Sequence, residues 1–222
     1  MELSPGDARH WMRIGNRMRD LGAFEDAARC YRECVARAPD YAIGWVNLGL
    51  TLADLGDGPG ADSAFGSAIA ADATSAEAHC ARGNLRLARG ERAAAVASFR
   101  AAVDARPDYG IAQHNLAVAL TQGGDIAVAL AAAGEAVRCD PVHPGFRRLR
   151  AEIATTANDR STAIGDYEAL LAADPDDADA SMQRISIASQ QCDWDTIDRL
   201  LSSALRGLER QIACGERPKR QV

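Results

Sequence analysis

The sequence predicts an all-α protein, a right-handed solenoid of about six stacked helical hairpins. The first observation behind this prediction is a 34-residue repeat that runs through residues 8–211 without an insertion. The second is composition, because 47% of the residues are apolar, only 5% are aromatic and 46 are alanine. Small side chains allow helices to pack closely, so this composition favours packing of helix on helix. The six repeat units begin at Ala8, Ala42, Ala76, Gly110, Pro144 and Ala178.

Two columns of the repeat mark where helices end. Position 15 of the units holds Gly22, Gly56, Gly90, Gly124, Asn158 and Cys192. Glycine and asparagine adopt the left-handed conformation that ends a helix, so this column predicts a turn inside each unit. Near position 32, Pro39, Pro107 and Pro175 end the second helix, and the aspartates that follow them, Asp40, Asp108 and Asp176, are expected to cap the next helix. Each unit is therefore predicted to be a helical hairpin.

Further columns predict how neighbouring helices touch. Gly15, Gly49 and Gly83 lie inside the first helix, where glycine costs about 1 kcal/mol relative to alanine. Close approach of the neighbouring helix explains why glycine recurs there. Alanine at position 20 serves that contact from the other side, and the aromatic residue at position 24 is expected to fill the gap between adjacent hairpins. These aromatic residues are Tyr31, Phe65, Phe99 and Tyr167.

Together these columns resemble the tetratricopeptide repeat signature. The first unit reads Trp11-x2-Ile14-Gly15-x2-Met18, Ala27-x3-Tyr31 and Pro39, and the second reads Trp45-x2-Leu48-Gly49-x2-Leu52 and Ala61-x3-Phe65. The resemblance covers more than nine tenths of the chain and weakens in the fifth unit, where Arg147, Arg150 and Ala154 replace large apolar residues. It implies a superhelix whose first helices line a concave groove that binds a protein or an extended peptide.

The repeat also predicts the domain organisation. One solenoid domain is expected over residues 1–214, with units 8–41, 42–75, 76–109, 110–143, 144–177 and 178–211, followed by a flexible basic tail over residues 215–222. The sixth unit departs most from the repeat. Its second helix is expected to be longer and to close the stack as a capping helix with one apolar stripe, formed by Ile197, Leu201, Ala204 or Leu205, Leu208 and Ile212.

Charge and composition argue against several classes of function. The chain has 25 Lys and Arg residues against 31 Asp and Glu, a net charge of -6, which argues against a nucleic-acid partner. No stretch resembles a membrane span or the apolar core of a signal peptide, so we expect no membrane partner and a cytoplasmic location. The six cysteines form no CxxC pair and the four histidines no metal-ligand spacing, so no metal, no cofactor and no catalytic residue is predicted. The alanine-rich and arginine-rich composition points to a bacterial source.

With no catalytic motif, the function is expected to lie in the groove. Positions 2, 5, 6, 9, 12 and 13 of each first helix are predicted to face it. Asparagine offers both a donor and an acceptor, so a row of asparagines can hold the backbone amides of an extended peptide without demanding one side chain. The candidate groove residues are Met12, Arg13, Asn16, Arg19, Asn47, Leu50, Asn84, His114, Asn115 and Val118.

A narrower resemblance suggests a second function. The segment Cys192-Asp193-Trp194 is similar to the junction in the O-linked N-acetylglucosamine transferase family, where tetratricopeptide repeats pass into a catalytic region. Asn47 and Asn115 also match the groove-asparagine column of that family. This resemblance implies that the chain is the substrate-recognition arm of a glycosyltransferase whose catalytic domain is not part of this chain.

The groove and the repeat are also compatible with a chaperone-tail clamp and with self-association. Asn16 and Asn47 match the two asparagines of a clamp that holds chaperone tails by their terminal carboxylate, but Met12, Glu77 and Ala81 stand where that clamp requires cations. The repeat can instead serve as a self-association module that forms homo-oligomers. The principal prediction remains a non-catalytic scaffold that binds a protein or peptide.

Overall fold

The computed structural model describes residues 7–213, and both Cys214 and the tail predicted over residues 215–222 lie outside them. The described residues form twelve α-helices and no β-strand, which confirms the prediction of an all-α fold. The helices are α1 (Ala8–Asp20), α2 (Phe24–Arg37), α3 (Ala42–Asp54), α4 (Gly58–Ala71), α5 (Ala76–Ala88), α6 (Arg92–Ala105), α7 (Gly110–Gly123), α8 (Ile126–Cys139), α9 (Pro144–Thr156), α10 (Arg160–Ala173), α11 (Ala178–Gln190) and α12 (Trp194–Ala213).

The helices pack as hairpins within two compact units, which divide between Ala119 and Leu120 inside α7. In the first compact unit α1 packs against α2, α3 against α4 and α5 against α6, while α2 and α4 also pack against the first helix of the next hairpin. In the second, α9 packs against α10 and α11 against α12, with α8 on α9 and α10 on α11. Stacked helical hairpins are therefore the building plan of both compact units.

Every hairpin turn has the left-handed backbone that the repeat predicts. The φ angle is 73° at Gly22, 79° at Gly56, 76° at Gly90, 84° at Gly124, 58° at Asn158 and 57° at Cys192. A cysteine in this conformation costs about 1–2 kcal/mol, because its Cβ crowds the following carbonyl oxygen. The sixth hairpin thus has the same turn geometry as the others, although a cysteine such as Cys192 disfavours a positive φ angle.

The helix caps lie one residue later than the aspartate column predicts. The N-cap of α3 is Tyr41, and the N-cap of α11 is Asp177, whose carboxylate accepts a backbone hydrogen bond. The prediction that Asp40 and Asp176 cap these helices is therefore wrong. Asp176 instead accepts a hydrogen bond from Arg206 Nε at 3.0 Å, so it ties the start of the sixth hairpin to α12.

In the first three hairpins a glycine of the first helix lies against an aromatic ring of the second. A Cβ added to Gly49 would lie 2.5 Å from Cε1 of Phe65, and one added to Gly15 would lie 2.6 Å from Cε1 of Tyr31. Both rings are 1% exposed, and the third hairpin repeats the arrangement. The glycine thus permits close approach of the neighbouring helix, as predicted. The aromatic ring was expected to fill the gap between adjacent hairpins. The structure shows that it also packs on the glycine of its own hairpin.

A buried ion-pair cluster lies where the fifth hairpin departs from the repeat pattern. The side chain of Asp166 on α10 is 1% exposed. Arg147 Nη1 donates to it at 3.0 Å, while Arg150 donates through Nε at 2.6 Å and through Nη2 at 2.7 Å. Two guanidinium groups offset the desolvation of one carboxylate in this way. The arginines that weaken the repeat signature therefore share a partner on the second helix.

Gly49→Ala is expected to lower the free energy of unfolding by about 1–3 kcal/mol, because the added methyl group forces the buried Phe65 ring to move. Gly66→Ala on α4 is the matched control. Apart from its chain neighbours and the backbone of its own helix, no atom lies within 4 Å of the Cβ added there, so this substitution should raise the free energy of unfolding by about 1 kcal/mol through helix propensity. Urea denaturation measures both values, and equal effects of the two substitutions would contradict the packing argument.

Asp166→Ala is expected to lower the free energy of unfolding by about 3 kcal/mol, since two partly buried guanidinium groups lose their counter-charge. Asp26→Ala is the control, because Asp26 pairs with Arg29 on the surface of α2 and exposed pairs contribute less than about 1 kcal/mol. Thermal unfolding of the two variants gives the comparison. A loss at Asp166 no larger than the loss at Asp26 would show that the cluster does not stabilise the fold.

Candidate functional site

A cleft of about 540 Å³ opens over the first helices of the second and third hairpins and the start of α7. Ile43 on α3 and Ile111 on α7 line it and are 56% and 52% exposed, so two large apolar side chains face solvent there. Asn47, Leu50 and Asn84, three of the predicted groove residues, line the same cleft. Every residue of its lining belongs to the first compact unit.

The groove asparagines are bonded to one another in pairs that join successive hairpins. Asn47 Nδ2 donates to Asn16 Oδ1 at 3.3 Å, and Asn115 Nδ2 donates to Asn84 Oδ1 at 2.8 Å. The donor amide also contacts a sulphur atom in each pair, Met12 Sδ at 3.6 Å for Asn47 and a cysteine Sγ at 3.7 Å for Asn115. The same polar contact thus recurs two repeats further along the chain.

Pairing leaves each asparagine of the cleft with one amide atom for other use. Asn16 Oδ1 is occupied, because it also accepts a hydrogen bond from the Tyr31 hydroxyl at 2.7 Å. Among the described residues, Nδ2 of Asn84 and Oδ1 of Asn47 have no hydrogen-bond partner. The cleft therefore presents one amide donor and one carbonyl acceptor, the same groups that a peptide bond carries.

Arg106 and Tyr109, which come from the loop between the third and fourth hairpins, form the polar side of the cleft. Arg106 Nη2 donates to Glu77 Oε1 at 2.5 Å, and its guanidinium lies 5.0 Å from the centre of the Tyr109 ring. Burial raises the pKa of the Glu77 carboxyl, but the hydrogen bond and charge of Arg106 outweigh burial, so the net pKa is lowered. Burial also raises the pKa of the Cys80 thiol. The ion pair is neutral overall, so the cleft offers little net charge to a ligand at this point.

Four of the predicted groove residues lie on α1 and have different surroundings. Met12 is 8% exposed, so its side chain belongs to the hydrophobic core. Arg13 and Asn16 are exposed and line a shallow depression on α1. Arg19 forms an ion pair with Asp54 at 3.3 Å. These side chains do not line the cleft that holds Asn47 and Leu50.

The predicted residues on α7 occupy intermediate positions. His114, Asn115 and Val118 are half-buried, and Asn115 is held by its bond to Asn84. The structure thus brings together Asn47, Leu50 and Asn84 in one cleft and leaves the remaining predicted residues outside its lining. Their role in binding stays a prediction.

The sequence pattern missed two groups of cleft residues for different reasons. Ile43, Glu77 and Ile111 occupy position 2 of their repeat units, a position that the repeat predicts to face the groove. Their repeat position and, for the two isoleucines, a large apolar side chain at a groove-facing position were the sequence signals that could have found them. Arg106 and Tyr109 come from a loop between hairpins, and no repeat column predicts where such a loop lies.

The described part of the chain offers no metal cluster and no membrane-spanning helix. Over residues 7–213, no group of three or more His, Cys, Asp or Glu side chains is arranged to hold a metal ion. None of the helices α1 to α12 is both long and apolar enough to cross a membrane. No disulfide forms among the cysteines of the described residues, and Cys30, Cys34 and Cys80 are buried.

Comparison with known proteins gives consistent results for the fold. A family model described as tetratricopeptide repeat matches residues 6–77 and 80–144. The structure of PilF from Pseudomonas aeruginosa is similar, with 18% identity, a TM-score of 0.74 and coverage of 93% of this chain and 97% of that chain. YrrB, described as a TPR protein with an unusual peptide-binding site, has 18% identity and a TM-score of 0.69, with 83% and 93% of the two chains covered.

A structure of MamA is also similar, with 23% identity, a TM-score of 0.63 and coverage of 71% of this chain and 92% of that chain. At these identities the structures show the fold alone. No curated protein sequence matches the chain. None of these three structures is described as a glycosyltransferase, so the transferase resemblance of Cys192-Asp193-Trp194 is not supported by them.

Tyr109 is expected to ionise near pH 12, because burial, and then the nearby Cys80 and Glu77, disfavour the phenolate and raise its pKa to about 12. The folded protein therefore holds this proton to higher pH than the unfolded chain does. The tyrosine stabilises the fold fully below pH 10, and that contribution is lost as the pH rises from about 10 to about 12. The tyrosinate absorbance difference between wild type and Tyr109→Phe follows this side chain, and a midpoint near pH 10 would contradict its burial beside Cys80.

Proposed function

The chain belongs to the tetratricopeptide repeat family, and on this premise we propose that it is a non-catalytic scaffold that binds a protein or an extended peptide in the cleft over α3, α5 and α7. The observation that carries the proposal is that one cleft holds two exposed isoleucines together with the two amide atoms that the asparagine pairs leave over, Asn47 Oδ1 and Asn84 Nδ2. The residues proposed to contact the ligand are Ile43, Asn47, Leu50, Glu77, Asn84 and Ile111.

The unpaired amide groups suit the backbone of a peptide. An extended chain presents N–H and C=O groups along its length while its side chains alternate between two sides. Asn84 Nδ2 can donate to a carbonyl of such a chain, and Asn47 Oδ1 can accept from an N–H group. The pairing bonds fix both side chains before a ligand arrives, which lowers the entropy lost on binding.

Apolar contact is proposed to supply most of the affinity. Ile43 and Ile111 are each about half exposed, so covering the remaining surface would contribute about 1 kcal/mol each. Glu77 is already paired with Arg106, so a terminal carboxylate or a strongly acidic ligand would have to compete with that ion pair. The ligand is therefore an extended segment recognised by apolar side chains and backbone groups, and the chaperone-tail clamp is not proposed.

The similar structures support the proposal at the level of the family. YrrB is described as having an unusual peptide-binding site, and a peptide site on the same fold is what we propose for this chain. Met12 is left out of the proposed contacts because it is buried, and Arg13, Asn16 and Arg19 are left out because they do not line the cleft. The cytoplasmic location and homo-oligomer formation stay predictions, and the transferase arm is not favoured.

A peptide selection on the full chain tests this function. Phage-displayed random peptides of about twelve residues are the probe, and the selected peptides are expected to carry apolar residues. Their affinity for the Ile43→Glu and Ile111→Glu variants should be at least about ten-fold lower than their affinity for the wild type. The reason is that each substitution places a carboxylate without a partner against an apolar ligand side chain. Fluorescence anisotropy of a labelled selected peptide gives the affinities.

Arg100→Glu on α6 is the matched control, because Arg100 is exposed and does not line the cleft. Its affinity for the selected peptide should equal that of the wild type. Circular dichroism of all three variants should show unchanged helix content, since the substituted side chains are exposed. Selection without enrichment, or peptides that bind Ile43→Glu and Ile111→Glu as tightly as wild type, would reject the cleft as the site.

A further inference from the structure

Helix α12 exposes an apolar stripe along its length. Trp194, Leu201, Leu205 and Ile212 on this stripe are 65%, 47%, 55% and 64% exposed. At about 100° per residue these four side chains lie on the same side of the helix, so the stripe runs parallel to the helix axis for five turns, about 27 Å. Leu200 lies about 100° around the helix from Leu201 and is 8% exposed, and α12 packs against α11. Packing within the sixth hairpin thus covers one apolar side of α12 and leaves a second one open, although a capping helix was expected to close the stack.

The earlier hairpins show what covers the equivalent stripe. At position 28 of the repeat, Cγ1 of Val35 lies 3.0 Å from a Cβ added to Gly44, at the start of the next first helix. Val137 packs in one cluster with Phe146 in the same way, across α8 and α9. Val35 and Val137 are 4% and 6% exposed. Leu205 holds position 28 in α12, so its exposed side is the surface on which the other hairpins receive a further helix.

Ion pairs accompany this stacking contact. Arg82 on α5 donates through Nε to Asp62 on α4 at 2.8 Å, and Arg184 on α11 lies 3.4 Å from Glu168 on α10. In both cases the acid is on the second helix of one hairpin and the arginine holds position 7 of the next first helix. Asp198 occupies in α12 the repeat position that Asp62 occupies in α4. Helix α12 therefore carries both the apolar and the acidic part of a stacking surface.

Acidic side chains border the stripe on one edge. A rotation of about 100° per residue places Asp195, Asp198 and Glu209 along that edge, and all three are exposed. The arginines of α12 that form ion pairs, Arg206 and Arg210, bond to Asp176 away from the stripe. A helix that packs on the stripe would place the side chains along one of its edges next to these three carboxylates. Basic side chains on that edge of the bound helix are therefore complementary in charge.

From these contacts we propose that the α12 stripe docks an amphipathic helix of a partner protein. That helix has a small or apolar residue followed four residues later by an arginine, the pattern of Ala78 and Arg82 on α5 and of Ala180 and Arg184 on α11. Its apolar face covers Leu201 and Leu205, and its arginine pairs with Asp198. The docking surface is separate from the cleft over α3, α5 and α7, and it does not depend on the function proposed for that cleft.

A second copy of this chain fits the stripe less well. Helix α1 of another copy is a first helix, but Ile14 stands at position 7, where α5 and α11 carry their arginine. Two copies of α12 that packed antiparallel about a two-fold axis would set their acidic edges side by side, which like-charge repulsion opposes. Charge complementarity thus favours a helix from a different protein.

Binding of a model helix to the full chain tests the proposal. The probe is a labelled, side-chain-crosslinked helical peptide with the sequence of residues 75–90, which includes Ala78 and Arg82. Fluorescence anisotropy is expected to show saturable binding that Leu201→Glu and Leu205→Glu abolish. Asp198→Arg is expected to weaken binding about ten-fold. A peptide with Arg82→Glu is expected to bind the Asp198→Arg protein more tightly than it binds the wild-type protein.

Asp104→Arg is the control variant, since Asp104 is an exposed acid on α6, and it should leave binding unchanged. A chain shortened to end at residue 213 should bind like the full chain. Binding that appears only after this shortening would assign the stripe to residues 214–222 and overturn the proposal. So would dimers in light scattering that Leu205→Glu dissolves, an absence of saturable binding, or equal binding by wild type and Asp198→Arg.

Discussion

The distance between the two helices of a hairpin is the constraint on which the rest of this structure depends. It leaves room for a hydrogen atom at Gly15 and Gly49 but not for a methyl group, because the ring of Tyr31 or Phe65 occupies that space. On the facing helix, alanine at position 20 is fully buried in five hairpins, at Ala27, Ala61, Ala95, Ala129 and Ala163. Small residues on both helices and one large ring fill the hairpin at the density of a protein interior.

Polar contacts fix how one hairpin lies on the next. Small apolar side chains pack in several registers at similar cost, whereas a hydrogen bond has its required distance and direction in only one of them. The bond of Asn47 to Asn16 joins the first two hairpins, and the ion pair of Asp62 with Arg82 joins the second and third. These contacts also shape the cleft, since Asn47 is both a register contact and part of its lining.

The fifth and sixth hairpins depart from the repeat with a physical reason in each case. In the fifth, Arg147 and Arg150 converge on the buried carboxylate of Asp166, so the loss of large apolar residues on α9 goes with a gain of charge on α10. In the sixth, Leu201 stands where earlier hairpins bury an aromatic ring and is 47% exposed. In the first three hairpins that ring rests on a glycine of its own hairpin, and the next hairpin of the array packs beside it. Helix α12 has no such following helix among the described residues.

By itself the sequence determined the period, the helices and the turns. Turn positions could be predicted because left-handed φ angles depend on local sterics, which favour Gly22 or Asn158 wherever they occur. It also predicted that Asn47, Leu50 and Asn84 face one groove, since they occupy outward positions of first helices. Only the tertiary structure decided that the asparagines bind each other and that Arg106 and Tyr109 enter the cleft. Those contacts depend on the rotation of one hairpin against the next and on the course of a loop, and neither is encoded in a repeat column.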